Sequence, residues 1–216
     1  MIFKFQSLQR RGLLRALAAL PFTSLAAACG IGGKSSSPTG PAAPAAPAAG
    51  APLAPTPACA EPDDLTPSQT EGPYFTPNSP LRVSLIENGV SGTRLLLTGQ
   101  VLTTNCLPVA RALVDFWQCD GQGQYDNRGY RLRGHQFTTA DGRYSLETIV
   151  PGVYPGRTRH IHVKVQAPNR PVLTTQLYFP NEPANQRDGI FNPVLVMAYT
   201  DRPDGKGGEF DFVLRA

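Results

Sequence analysis

The chain has 216 residues, room for one large or two small domains around a buried core. Its formal net charge of +4 is concentrated at one end. Lys4, Arg10, Arg11 and Arg15 precede residue 29, the first acidic residue is Glu61, and the remainder is neutral, which excludes the electrostatic footprint of a nucleic-acid-binding protein.

Residues 1–29 read as an export signal. A basic start with the pair Arg10-Arg11 leads into an apolar run from Leu13 to Ala28 that Arg15 and Pro21 interrupt. That run is too short and too broken for a membrane span of about 20 apolar residues. Gln9 to Leu14 resembles a twin-arginine signal, and Leu25 to Gly30 resembles a bacterial lipoprotein box with its leucine one place further from the cysteine than usual. The expectation is an exported lipoprotein, periplasmic or at the cell surface, anchored through Cys29. Cleavage near Ala28 without lipid is the plainer alternative. Residues 30–58 are Gly, Ser, Pro and Ala with almost no apolar bulk, the composition of a semi-extended tether that cannot offset its own ordering entropy.

The folded domain spans 59–216, a normal size for one domain. Short runs of β-type residues recur between Gly, Pro, Asn and Asp. Strands are expected over Arg94–Leu102, Ala110–Gln118, Arg143–Ile149, Arg159–Gln166, Val172–Phe179 and Phe191–Tyr199, with a closing strand over Glu209–Leu214. Asp141-Gly142 between Phe137 and Tyr144 predicts a hairpin turn. No stretch sustains a helical period, so the fold class is all-β, a single β-sandwich with long functional loops. With Cys29 assigned to lipid, Cys59, Cys106 and Cys119 remain. Cys106 and Cys119 flank one strand of about eight residues, roughly 25 Å, too far for a disulfide. The pairing expected is Cys59–Cys106, with Cys119 a small buried thiol.

Two of the three histidines, His160 and His162, lie one residue apart in Arg-His-Ile-His-Val-Lys-Val. Ile161, Val163 and Val165 fall on one parity and His160, His162 and Lys164 on the other, so both imidazoles share one face of a strand. Such a pair is half of a metal site or merely a polar face. His135 reads as a solvated loop residue, and no acidic residue is placed as a third ligand. Tyr125 and Tyr154, by contrast, stand in Gly- and Pro-rich loops. A strongly Lewis-acidic cation holds phenol as phenolate at neutral pH. Two phenolates with two imidazoles favour a hard, trivalent ion, Fe(III), over zinc or copper.

Taken together, these residues resemble the intradiol ring-cleavage dioxygenases, most closely the protocatechuate 3,4-dioxygenase branch. The resemblance rests on Thr66–Phe75, on Val114–Gln118 followed by Gly123-Gln-Tyr125, on Pro151–Tyr154, on Arg157 with His160 and His162, on Leu173–Gln176 and on Phe210–Arg215. It implies Tyr125, Tyr154, His160 and His162 as Fe(III) ligands, with Tyr154 the one displaced when a catechol-type substrate chelates. Arg157 and Gln176 become donors that stabilise charge on the substrate, and Gly72, Pro73, Tyr74 and Ile190 line its pocket. The reaction implied joins both atoms of O2 to the ring between its hydroxylated carbons, giving a muconate-type diacid.

Two departures stand out. The branch carries a bulky loop between its second tyrosine and the arginine, with a tryptophan that walls the substrate. Here Gly156 stands two places after Tyr154, which implies a more open pocket. The helical dimerisation segment of catechol-type relatives has no counterpart, which implies a monomer. A surface binding module without catalysis is the alternative from another class, and loss of a ligand residue would mark it.

Overall fold

A computed structural model describes residues 65–215. The expected signal, tether, lipidation residue Cys29 and disulfide partner Cys59 lie outside the described residues. Among those described, nine strands form two sheets: β1 (Arg94–Thr103), β2 (Leu113–Trp117), β3 (Arg133–Phe137), β4 (Arg143–Ile149), β5 (His160–Gln166), β6 (Leu173–Tyr178), β7 (Ala198–Arg202), β8 (Gly205–Glu209) and β9 (Phe212–Leu214). One sheet has the order β4-β1-β8-β7, with β9 continuing along β1, and the other has the order β3-β2-β5-β6. The all-β sandwich is the observed fold class.

The core lies between the sheets and follows the period-2 rule. Leu95, Leu97, Val101 and Leu146 from one sheet meet Val114, Phe116, Ile161, Val163, Val165 and Leu177 from the other, all buried. Each such side chain contributes about 1.5–3 kcal/mol on burial. Gln118 ties the sheets at the end where the site loops leave. Its amide accepts from Thr148 Oγ1 at 3.0 Å and donates to the Ile149 carbonyl at 2.9 Å.

The outer face of β3-β2-β5-β6 is covered as well. Residues 65–84 cross it as a strap. Thr66 pairs with Val213, and Gln69 N donates to the Thr174 carbonyl at 2.8 Å. Further on, Ser79 Oγ donates to Asp115 Oδ1 at 2.7 Å, and Leu81 bridges to His135. The second parity of β5 is therefore interior too, and His160 and His162 are 2% and 1% exposed.

Several expectations change. The Asp141-Gly142 turn forms, with Gly142 N donating to the Thr139 carbonyl at 3.0 Å. It joins strands of different sheets, β3 beside β2 and β4 beside β1, so it is a corner and no hairpin. His135 lies on β3, not in a loop, with its Nδ1 3.1 Å from Ser79 Oγ. Phe191–Tyr199 is not a strand: a 3-10 turn at Pro193–Leu195 precedes β7, because Pro193 has no N–H to give a ladder. The Pro203-Asp204 connection between β7 and β8 is the hairpin in its place. Glu209–Leu214 breaks into β8 and β9 at Phe210-Asp211, where Asp211 Oδ1 takes the Gln100 N–H at 2.7 Å. Cys119 is a free, buried thiol as expected, and Cys106 is disulfide-bonded.

The break requires a glycine opposite it. A Cβ on Gly99 would lie 1.8 Å from the Phe210 carbonyl oxygen, which also accepts from Tyr144 Oη at 2.7 Å. Gly99→Ala is expected to cost about 1–3 kcal/mol or more by forcing β9 off β1, measured by urea unfolding. Wild-type stability in that variant would show that the close approach is dispensable.

Candidate metal centre

His160 and His162 point the same way from a rigid strand, and their Nε2 atoms stand 3.1 Å apart. His160 Nδ1 lies 2.6 Å from the Thr158 carbonyl. That oxygen can only accept, so Nδ1 carries the hydrogen and Nε2 presents a lone pair to the centre. Trp117 stacks on the His162 ring at 4.7 Å and 9°, and Gly72 of the strap lies so close that a Cβ there would be 3.4 Å from His162 Cε1.

Tyr154 comes from the loop between β4 and β5. Arg157 N donates to the Tyr154 carbonyl at 3.1 Å across Pro155-Gly156, with Gly156 at φ +82°. This is the Pro-then-Gly arrangement of a type II turn. Tyr154 Oη ends 3.3 Å from His160 Nε2. Tyr125 arrives from the loop after β2, between two aspartate-capped turns. Asp120 Oδ1 accepts the N–H groups of Gln122 and Gln124, both at 2.9 Å. The Asp126 carboxylate accepts those of Arg128, Gly129 and Arg131 at 2.9–3.0 Å. The Tyr125 ring lies 5.7 Å from that of Tyr154 and 6.3 Å from that of His162. Its hydroxyl is buried and makes no hydrogen bond of good geometry, the Tyr154 hydroxyl being the one group that interacts with it.

The four predicted ligands thus converge, and the group they fit can be judged from their chemistry. A buried hydroxyl without a well-formed hydrogen bond costs about 1–3 kcal/mol unless something else satisfies it. Two imidazole nitrogens at 3.1 Å, one with an outward lone pair, are arranged for a shared cation. Among the described residues no three His, Cys, Asp or Glu side chains gather around one point, so further ligands for such a cation must be of another type, and the two phenols are placed for it. Burial pushes the Tyr125 phenol up strongly and raises that of Tyr154, against which Arg157 works. The phenols therefore keep their protons at neutral pH without a strong Lewis acid. This donor set fits a hard, trivalent ion such as Fe(III).

Arg157 flanks the centre. Its Nε donates to Asp188 Oδ2 at 2.9 Å, Nη2 donates to Gln176 Oε1, and Nη1 lies 3.5 Å from Tyr154 Oη. Burial would loosen its proton, but the Asp188 carboxylate more than reverses this and its pKa is raised. Gln176 is held in turn, donating from Nε2 to the Thr70 carbonyl at 2.8 Å and accepting from Tyr178 Oη at 3.1 Å. Asp188 also accepts from Thr158 N at 2.9 Å. It lies 31 residues from Arg157 in the loop after β6, and no local signal marks it.

A cavity of about 400 Å³ opens beside Tyr154, lined by Pro155, Gly156, Arg157, Ala184, Arg187 and Asp188 among others. A Cβ at Gly156 would meet nothing within 4 Å. Gly72, Pro73, Tyr74 and Ile190 do not line this cavity. Tyr74 instead stacks on Tyr125 at 4.3 Å, and Ile190 gives its carbonyl to Tyr178 Oη and its N–H to Asp188 Oδ1. Pro73 is exposed between Gly72 and Tyr74.

Residues 70–216 match the model of a protein family described as dioxygenase. The chain belongs to the intradiol ring-cleaving dioxygenase family. It is 32% identical over 172 residues to a protocatechuate 3,4-dioxygenase beta chain of Burkholderia cepacia, covering 63% of this chain and 72% of that one. It is 29% identical over 158 residues to a hydroxyquinol 1,2-dioxygenase of Rhizobium sp. strain MTP-10005, covering 61% of this chain and 53% of the relative, so it spans about half of that protein's length. Among solved structures, the dioxygenase domain of a dioxygenase–carbohydrate-binding fusion from Streptomyces sp. SirexAA-E is 57% identical. It superposes with a TM-score of 0.69 over 70% of this chain and 98% of that one. The 3-chlorocatechol 1,2-dioxygenase of Rhodococcus opacus 1CP is 28% identical, with a TM-score of 0.64 over 68% and 71% of the two chains.

Burial, then the Arg157 charge, depresses His160 from 6.5 to about 4, and burial with the charges of His160 and Arg157 puts His162 well below 6.5. The unfolded chain therefore binds more protons than the folded one between about pH 6.5 and pH 4, and stability falls as pH drops through that window. For His160 alone the loss is on the order of 3 kcal/mol by pH 4. Urea midpoints of the metal-free protein across pH 4–7 test this, and a flat profile would contradict it.

Proposed function

We propose that the protein is a non-haem Fe(III) intradiol dioxygenase, joining both atoms of O2 to a catechol-type ring between its hydroxylated carbons and releasing a muconate-type diacid. The observation that carries this reading is the meeting of a Tyr125 hydroxyl that makes no well-formed hydrogen bond, the Tyr154 hydroxyl and two imidazole Nε2 atoms in one buried place. Ferric iron held there would draw electron density from a bound catechol and make the ring reactive towards dioxygen without an external reductant.

The chain's own residues divide the remaining work. Tyr154 lines the cavity, so its oxygen, once held as phenolate, would be the one placed to take a proton from an incoming catechol hydroxyl. Arg157 is clamped by Asp188 on one side and Gln176 on the other, which fixes its remaining N–H groups before substrate arrives. A donor fixed in this way stabilises developing negative charge without reorganising. The strap residue Gly72, Trp117 and the buried strand beneath keep water from the histidine side. The open space at Gly156 favours broad acceptance of ring substituents. Sequence alone supports the rest of the reading: export by a twin-arginine-like signal, a lipid anchor at Cys29, and a monomer on a Pro/Ala tether.

The iron-loaded protein is expected to be coloured by tyrosinate-to-iron charge transfer, to change colour with catechol, and to consume one O2 per catechol. Tyr125→Phe should bleach much of the colour. A protein that takes up zinc in preference, stays colourless and consumes no oxygen would sink the reading. Asp188→Asn, which loosens Arg157 without touching a ligand, should lower kcat about 10–100-fold while the colour stays. Unchanged turnover would show that the clamp is not used.

A further inference from the structure

Arg133 is buried to 1% exposure, and among the described residues it forms no ion pair. Burying a guanidinium without a contact ion pair is costly, although the Asp126 and Asp115 carboxylates act on it at longer range, and arginine keeps its charge at physiological pH. Its donors are aimed at one acceptor. Nε and Nη2 both donate to the Asp126 carbonyl, at 3.2 and 2.8 Å. That carbonyl belongs to the residue after Tyr125. The guanidinium carbon lies 5.9 Å from the centre of the Tyr125 ring, and Nη1 is buried without a partner.

The register extends this arrangement. Arg133 stands opposite Trp117, and Trp117 opposite His162, in one row across β3, β2 and β5. Trp117 Nε1 and His162 Nδ1 are also buried without partners. The side of the centre away from the cavity therefore offers a cation and unpaired donors, surroundings that suit negative charge on the ring in front of them. The loop from Tyr125 to β3 is closed on itself by the Asp126 carboxylate. Arg82 of the strap holds the loop's far end through the Tyr130 and Arg133 carbonyls. Arg133 is what ties its near end to the sheet.

We propose that Arg133 is a positioning residue for the Tyr125 ligand. By gripping the Asp126 carbonyl with two N–H groups and setting a buried cation against the ring, it aims the phenol oxygen at the two histidine Nε2 atoms. This rests on the ferric-centre reading above and extends it to a residue that touches neither substrate nor metal.

The test uses full-length iron-loaded protein with Arg133→Met and Arg133→Lys, each alone and in a Tyr154→Phe background where Tyr125 is the only phenolate ligand. The readouts are the charge-transfer band and the chelator concentration that removes half the iron. Arg133→Met removes the charge nearer the phenolate than the metal, so the band should move to longer wavelength and iron should be lost at about tenfold lower chelator. Arg133→Lys keeps a cation but cannot make the paired grip. Its band should move less, and its iron should be held about threefold to tenfold less tightly. An unshifted band with wild-type iron retention in Arg133→Lys overturns the proposal, whether or not the methionine variant folds. A fall in thermal stability alone, with band and retention unchanged, overturns it equally. A colourless parent sinks both readings, whereas a coloured parent whose variants keep its band sinks this one only.

Discussion

The structure depends on keeping both faces of one strand dry. The core parity of β5, Ile161, Val163 and Val165, is buried between the sheets, as in any sandwich. The other parity carries His160 and His162, and it is just as deeply buried because the strap of residues 65–84 lies across it. Dehydration of two imidazoles disfavours their charged forms and leaves them as neutral nitrogen donors. The same burial leaves the Tyr125 hydroxyl without a well-formed hydrogen bond to the protein. A metal centre is the arrangement in which these deficits are satisfied together.

Loop architecture follows from that constraint. Two tyrosines must reach the strand from two separate loops, one after β2 and one after β4, and each loop is stiffened locally. Asp120 and Asp126 cap the turns on either side of Tyr125, and the Pro155-Gly156 turn sets Tyr154 beside Arg157. Arg157 is then held from the far loop by Asp188 and from β6 by Gln176. The open position at Gly156 leaves room beside the ligands, so the centre is rigid on its histidine side and accessible on its Tyr154 side.

What the sequence made legible was local and periodic. The β5 alternation and the His-x-His spacing put both imidazoles on one face, and the ordered motifs with the tyrosine loops pointed to the candidate ligands, because chemistry and register there lie within a few residues. Long-range partners were less readable. Asp188 carries no motif, and a charged residue such as Arg133 reads as surface until its burial is seen. Asp141-Gly142 announced a turn correctly but could not say which sheet received the next strand, so a corner passed for a hairpin. The pocket positions expected in the strap lie beside the candidate ligands, Tyr74 on Tyr125 and Gly72 near His162.

The central claim is that this buried set of two imidazoles and two phenols opens a catechol ring between its hydroxyl-bearing carbons with both atoms of dioxygen. Mass analysis of the product formed from catechol under isotopically labelled O2 tests it most directly. The account predicts a muconate-type diacid with label in both carboxyl groups. An unlabelled product, or a ring opened outside the hydroxyl pair to give an aldehyde, would contradict it.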